Sequence, residues 1–240
     1  MDYPKLSRAP ITEALVDIRL SEPVSEDVLP LVHERVSGEF PETKPRNEVQ
    51  LTWDTASLDS TSKVTAKGWL GVSEEKRHAM QARTDGFIFS RLAPYDDWPE
   101  LRTSARACWE HYVAATNAQH VRQIGVRYIN RIELPAPVKD FDDYFKTFPR
   151  IGDSIQQSIA SMFMRIVIPH PVALVAITET IDSQGITESV VPVILDILTY
   201  IEGPFPATGE EIWEQLDRLR TAKNQAFFGS ITEKTWRMFE

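Results

Sequence analysis

Charged residues alternate with apolar residues along several stretches of the sequence that have the two-residue rhythm of β-strands. These charged residues are Glu13, Asp17, Arg19, Arg127, Arg131 and Arg165. If their strand faces point the same way, they form one patch of carboxylates and guanidinium groups. Guanidinium groups bind carboxylate and phosphate well, so the patch predicts a binding site for an anionic ligand or a partner segment. The alternative is an ordinary solvated sheet face, where cross-strand ion pairs stabilise only slightly.

Two further polar residues, Asn130 and Asp196, stand among apolar neighbours on their predicted strands. A buried polar group needs hydrogen-bond partners. One interpretation is a local hydrogen bond to a loop or a helix end. The other is a buried polar network, shared by both residues, that ties the sheet to a helix.

A third pattern is typical of metal-dependent hydrolases or nucleases. Asp54 lies at the end of one predicted strand, and Glu74 and Lys76 follow another. Two carboxylates and a lysine can hold a divalent ion and orient water. A chance match is the alternative, because the sequence contains 35 acidic residues. The pattern therefore does not assign a catalytic or metal-binding residue.

Other catalytic signatures are absent from the sequence. It contains no GxGxxG, GxxxxGK[ST], GxSxG or HExxH string, and its five histidines are scattered. The single cysteine, Cys108, falls on the apolar stripe of a predicted helix, which favours a buried, unreactive thiol. We therefore expect no cofactor and favour a non-enzymatic protein.

The composition is that of an ordinary globular protein, with 42% hydrophobic and 25% charged residues. Subtracting 35 acidic from 26 basic residues gives a net charge of −9, which does not favour nucleic-acid binding. One cysteine excludes intramolecular disulfides and suits a reducing compartment. The start of the sequence lacks a signal-peptide pattern, and the most apolar stretch, 190–201, is too short to span a bilayer. We expect a cytoplasmic protein without a membrane partner.

Alternation over 11–20, 121–134 and 159–201 predicts long strands joined by short connections, hence antiparallel pairing. Helical spacing predicts two long amphipathic helices. The first spans 96–117, and the second begins at Thr208, whose spacing to Glu211 matches a capping box. The polar stretch 54–67 is predicted to be a loop. The expected fold class is α+β, with a curved, mainly antiparallel sheet and two long helices packed on it.

The chain is expected to form one domain over 1–240. Its two parts, 1–135 and 136–240, each run through several strands, a proline loop and a tryptophan-led helix. A duplicated strands-then-helix unit would explain this similarity. Chance is the alternative, because prolines and tryptophans are common around helix starts.

Three strings carry a resemblance to a known family. They are the opening string 8–14 (RAPITEA), the string 125–131 (GVRYINR) and the string 223–233, which reads KNQAFF followed by ITE. The opening resembles that of a sporadically distributed family of uncharacterised bacterial proteins that begin with a similar APIxEA string. The resemblance implies a bacterial accessory gene, of the kind found in defence or toxin–antitoxin systems, and no established activity, cofactor or catalytic residue.

Three functional hypotheses follow. The first is a non-enzymatic binding or regulatory module that acts with a genetically linked protein partner. The second is a small-ligand pocket between sheet and helix, lined by Phe87, Phe89, Tyr128 and Phe163 with one or two arginines. The third is a metal-dependent hydrolase or nuclease that uses Asp54, Glu74 and Lys76.

Overall fold

The structure of the chain is a computed structural model that describes residues 3, 6–53, 60–149, 152, 154 and 159–240, with the backbone alone for 47–53 and 60–66. These residues form an α+β fold in which helices pack on a large antiparallel sheet, as the sequence predicts. The nine strands within the described residues are β1 Ile11–Leu20, β2 Thr43–Trp53, β3 Ser60–Val72, β4 His78–Arg83, β5 Gly86–Leu92, β6 His120–Pro135, β7 Phe163–His170, β8 Ala173–Ile181 and β9 Val190–Pro206. The α-helices are α1 Leu29–Val36, α2 Trp98–Thr116, α3 Glu211–Ser230 and α4 Glu233–Trp236. Short 3-10 turns lie at Glu26–Val28, Phe141–Asp143, Ser183–Gly185 and Arg237–Phe239.

The strand order is β2-β3-β4-β5-β1-β6-β9-β8-β7, so each half of the chain occupies one continuous side of the sheet. The two sides meet where β1 pairs with β6. In each half the first strand pairs with the last, β1 with β5 and β6 with β9, and a long helix follows that last strand. The boundary between these sides differs from the predicted one at 135, because β6 (His120–Pro135) belongs with β7, β8 and β9. The duplication of a strands-then-helix unit stays a prediction.

The long helices cover one face of the sheet. On β1, Ala14, Val16 and Ile18 are fully buried on that face, because successive strand residues point to opposite sides. The apolar stripe that the sequence predicts on α2 is buried as expected, and it consists of Trp98, Leu101, Ala105, Cys108, Trp109 and Tyr112. Asp97 caps the start of α2 by accepting a hydrogen bond from the Glu100 amide at 3.0 Å.

The start of α3 differs from the sequence prediction. A capping box from Thr208 was expected, but α3 begins at Glu211, and the residue before it makes no side-chain cap. The reason is that β9 continues to Pro206, and Gly209, with φ +98, turns the chain into the helix.

Among the described residues, no helix combines the length and the apolar character that a membrane span needs.

The predicted loop at 54–67 is wrong for its second part. Strand β3 begins at Ser60 and pairs in antiparallel register with β2, for example Val49 with Val64. Residues 54–59 lie outside the described residues. Polar composition pointed to a loop, but the backbone pairing with β2 makes this part of the chain a strand.

Candidate ligand-binding site

The six charged residues from the sequence analysis lie on the sheet face opposite the helices. Strand register places five side chains in one row across β7, β8, β9, β6 and β1, in the order Arg165, Thr178, Asp196, Ile129 and Glu13. Directly opposed residues in antiparallel strands point to the same side. The strand faces therefore do point the same way.

Acidic side chains of the chain itself already engage most of the arginines on this open face. Arg127 binds both carboxylate oxygens of Asp196, with Nε–Oδ1 at 2.8 Å and Nη2–Oδ2 at 2.5 Å. This hydrogen bonding, supported by the charges of Glu13 and Asp17, raises the pKa of Arg127. Further contacts on this face include Arg19 with Asp17 at 3.0 Å, Arg131 with Asp182 and with Glu133, and Arg165 with the Thr178 hydroxyl at 3.1 Å. The open face is thus largely a set of internal ion pairs.

The two buried polar residues bond separately rather than in one network. Asn130, 2% exposed, lies on the helix side and donates to the carbonyl oxygens of Leu195 at 2.9 Å and Tyr128 at 3.3 Å. Asp196 lies on the open face and accepts from Arg127. The two side chains lie on opposite faces of the sheet because Asp196 is paired with Ile129, the neighbour of Asn130, and adjacent residues of a strand face opposite sides.

The predicted carboxylate and lysine pattern lies only partly within the described residues. Glu74 and Lys76 lie in the exposed turn between β3 and β4, and Asp54 lies outside the described residues. Over the described ranges, no group of three His, Cys, Asp or Glu side chains could hold a metal ion.

A cavity of about 680 Å³ opens on the helix face of the sheet, between the start of β1, the middle of β6 and the facing ends of α2 and α3. This volume is in the range of small-molecule pockets. Aromatic and polar side chains line it together. The lining includes Tyr3, Ala9, Pro10, Ile11, Tyr95, Asp96, Asp97, Trp98, Tyr128, Asn130, Arg220, Lys223, Asn224, Phe227 and Phe228.

All three strings that carry the family resemblance contribute to this cavity. The opening string provides residues 9–11, the string 125–131 provides Tyr128 and Asn130, and the string from 223 provides Lys223, Asn224 and the two phenylalanines at 227 and 228. These segments lie about a hundred residues apart in sequence. The pairing of β1 with β6 and the packing of α3 on β6 bring them to one place.

Lys223 is the most unusual residue of the cavity. It is only 7% exposed, and its Nζ lies 3.6 Å from the centroid of the Tyr128 ring. Within the described part of the chain, no carboxylate lies within ion-pair distance of that nitrogen. Burial, and then the nearby Arg220 guanidinium, lower the pKa of Lys223 to about 7.

Two tyrosine hydroxyl groups meet beside this lysine. The Tyr95 and Tyr128 oxygens lie 3.0 Å apart and share a hydrogen bond, and the rings are in edge contact. Burial raises the pKa of Tyr95 to about 12 and also raises the pKa of Tyr128 well above its usual value. Both hydroxyls are therefore neutral at physiological pH and can donate as well as accept hydrogen bonds.

The two acids of the cavity wall are already engaged. Asp96 forms ion pairs with Arg77 at 2.6 Å and with the buried Arg91, and Asp97 caps α2. Arg220, three residues before Lys223 on α3, has neither an ion pair nor a hydrogen bond to any residue that the structure describes. Residues at this spacing share a helix face. The cavity therefore presents two basic side chains that have no acidic partner among the residues described.

Contacts between secondary-structure elements hold the walls in place. The Trp98 indole N–H donates to the Asp217 carboxylate at 2.6 Å and so connects α2 with α3. On the other side, the Tyr3 ring stacks on Phe228 with centroids 4.7 Å apart. The segment before β1 thereby forms one wall of the cavity.

The predicted pocket lining is only partly right. Tyr128 does line the cavity, but Phe87 and Phe89 are fully buried in the core, where Phe87 contacts the Trp109 ring edge-on at 5.6 Å. Phe163 is 72% exposed, on the open face of edge strand β7. For Phe87 and Phe89 the error arose because strand alternation identifies the buried face of the sheet but not the position along it where helix packing leaves space. For Phe163 the face itself was wrong, because this residue shares the open face with Arg165.

The sequence analysis missed Lys223, Arg220 and Tyr95. One signal for Lys223 was present, because it lies four residues after Leu219 and four before Phe227, in the middle of the apolar stripe of α3. A basic residue at such a position marks either a buried amine or a gap in the packing. Arg220 and Tyr95 carry no comparable signal.

Comparisons with known proteins do not name this site. No protein-family model matches the chain, and a search of curated proteins finds no match. The evidence for a function is the chemistry of the cavity. Its aromatic walls, its hydroxyl pair and two basic groups without an acidic partner among the described residues can enclose a small organic molecule that carries a negative charge.

Proposed function

We propose that this protein binds a small organic anion, such as a carboxylate, in the cavity between the sheet and the ends of α2 and α3. The observation that carries the proposal is Lys223, a buried basic side chain at the wall of a cavity, for which the described part of the chain provides no carboxylate partner. Burying a cationic group without a counter-charge costs stability, and groups with strongly perturbed pKa values cluster at functional sites. A bound anion would supply the missing charge.

The proposal also accounts for the distribution of charge in the molecule. The net charge of −9 gives no general attraction for anions. Arginines on the open face are engaged mainly by acids of the chain, whereas Arg220 and Lys223 are not. A local basic site within an acidic protein favours one bound anion over non-specific adsorption.

The test compares ligands that differ in charge but hardly in shape. Thermal unfolding is followed with benzoate and benzamide, and with phenylacetate and phenylacetamide. We expect the carboxylates to raise Tm in a concentration-dependent way, because a ligand that binds the folded state alone stabilises it, and the amides to have little effect. Equal shifts for acids and amides would contradict the proposal.

A matched pair of variants locates the effect. Arg220→Gln removes the cavity guanidinium, and Arg218→Gln removes an exposed one on the same helix that does not line the cavity. We expect Arg220→Gln to weaken benzoate binding about tenfold, which corresponds to the loss of one charged hydrogen bond, and Arg218→Gln to leave it unchanged. Equal losses in both variants would place the anion elsewhere.

The hypothesis of a genetically linked protein partner stays a prediction from the sequence, and the cavity does not depend on it. Edge strand β7 carries the exposed apolar residues Phe163 and Val167. A pull-down of the purified linked protein by the wild type and by Phe163→Ser measures whether this edge takes part. Equal recovery with both would assign the partner to another surface, and no recovery with either would end the hypothesis.

A further inference from the structure

We infer that Lys223 binds the carbonyl group of an oxo acid covalently, as a reversible imine, while Arg220 holds the carboxylate of the same molecule. The inference rests on the proposed anion site and deepens it by naming the class of ligand. It stands on the geometry of the cavity, where an amine, a guanidinium group and a pair of hydroxyls line one enclosed space.

A lysine attacks a carbonyl only in its neutral form, and lysines that do so are desolvated or placed next to another cation. Lys223 has both features, because it is buried and Arg220 lies three residues away on the same helix. No carboxylate of the described residues holds it as an ammonium ion.

The side chains of Arg220 and Lys223 leave α3 on one face, one turn apart. In an oxo acid the carboxylate and the reactive carbonyl are adjacent or nearly so. A carboxylate on the Arg220 guanidinium therefore brings the carbonyl carbon toward Lys223, and the aromatic walls accept an organic side chain.

The reaction is balanced without an added reagent. The amine nitrogen forms a bond to the carbonyl carbon, and the carbonyl oxygen takes a proton to give a carbinolamine. That oxygen then leaves as water while the carbon–nitrogen double bond forms, with the second amine hydrogen leaving as the other proton. The Tyr95 and Tyr128 hydroxyls provide neutral donors and acceptors beside the amine for these proton transfers. No oxidant or reductant is consumed.

The experiment traps the imine in the full chain. The protein is incubated with phenylpyruvate at pH 8, reduced with sodium cyanoborohydride and mapped by peptide mass spectrometry. We expect the reduced adduct at Lys223 to form about ten times faster than at the exposed Lys139, because the buried Lys223 amine, with its pKa lowered to about 7, is mostly neutral at this pH and lies in the cavity that holds the ligand. Arg220→Gln should slow the reaction at Lys223 about tenfold and leave the rate at Lys139 unchanged.

Two controls keep the inference separate from the proposed function. Lys223→Arg keeps the positive charge but cannot form an imine, so it should lose the adduct at this position. Phenyllactate has a hydroxyl in place of the carbonyl and reports anion binding alone. If phenyllactate raises Tm as much as phenylpyruvate and no adduct forms at Lys223, the imine is refuted and the anion site stands. If neither raises Tm and Lys223 is no more reactive than Lys139, both are refuted.

Discussion

The side-chain nitrogen of Lys223 lies 3.6 Å from the centroid of the Tyr128 ring, at the wall of the cavity. A cation above an aromatic face is attracted to it, so this contact favours the ammonium form. Burial and the charge of Arg220 act against it, and the pKa falls to about 7. Lys223 is thus held where a modest change in its surroundings, such as a bound anion, alters its charge.

The lowered pKa of Lys223 predicts a pH-dependent stability. The folded-state pKa of about 7 lies below the value of 10.5 for a free lysine, so the unfolded state binds more protons between these limits. Stability should rise as the pH increases through this window. Replacing Lys223 with Met should remove this contribution of about one proton. The difference in the free energy of unfolding between the wild type and the variant should therefore change by about 1.4 kcal/mol per pH unit.

The measurement is urea unfolding of the wild type and Lys223→Met at intervals from pH 7 to 10. Other titrating groups are common to both proteins and cancel in the difference. Lys234→Met is a matched control, because Lys234 is exposed and pairs with Asp143 at 2.9 Å. A difference between wild type and Lys223→Met that does not change with pH would show that Lys223 is charged in the folded protein.

The hydroxyl pair of Tyr95 and Tyr128 predicts a coupled loss of stability. Tyr95→Phe leaves the buried Tyr128 hydroxyl without its partner, and we expect a cost of about 1–2 kcal/mol. The double variant with Tyr128→Phe should cost less than the sum of the two single variants, because it leaves no unsatisfied hydroxyl. Strictly additive losses in chemical unfolding would mean that the pair has no energetic role.

We expect the ion pair of Arg127 and Asp196 on the open face to stabilise the folded protein modestly. Asp196→Ala should lower the free energy of unfolding by about 1 kcal/mol, because the buried carboxylate makes two hydrogen bonds but Arg127 is partly exposed and can rehydrate. Asp182→Ala, which breaks the more exposed pair with Arg131, should cost less. A loss below about 0.5 kcal/mol for Asp196→Ala would assign no stabilising role to this pair.

We expect a substitution that removes the buried carboxyl group of Glu179 to stabilise the protein. Glu179 is fully buried, its one described hydrogen bond is with the Thr147 hydroxyl, and burial raises its pKa. The folded state therefore holds this proton more tightly than the unfolded state, and stability falls as the pH rises through the folded-state pKa. Glu179→Gln should raise Tm at pH 7, and the gain should disappear below about pH 4. An equal gain at both pH values would contradict the burial argument.

The sequence predicted the fold better than the site. The two-residue alternation on β1 and β6 and the apolar stripe on α2 were sufficient to predict these elements, because each of these strands and helices buries one continuous apolar face. The start of α3 was wrong because a turn with Gly209 in left-handed geometry overrides a local capping signal. Such a turn depends on where the preceding strand ends, which is a tertiary property.

The candidate site depends on packing that local patterns do not contain. Tyr128 was predicted to line a pocket because it lies on the core face of β6, but its hydroxyl partner Tyr95 lies in a loop without periodicity. Lys223 did interrupt an apolar stripe, and that interruption was the informative signal. Strand alternation led instead to the charged open face, where most of the charges satisfy one another.

The most direct test is a crystal structure of the protein with 4-bromobenzoate, because the bromine locates the ligand by anomalous scattering. The account predicts one ordered molecule in the cavity, with its carboxylate within hydrogen-bond distance of Arg220 or Lys223 and its ring against the aromatic wall. A bromine peak only at the open face, or a cavity filled by protein side chains in the crystal, would contradict it.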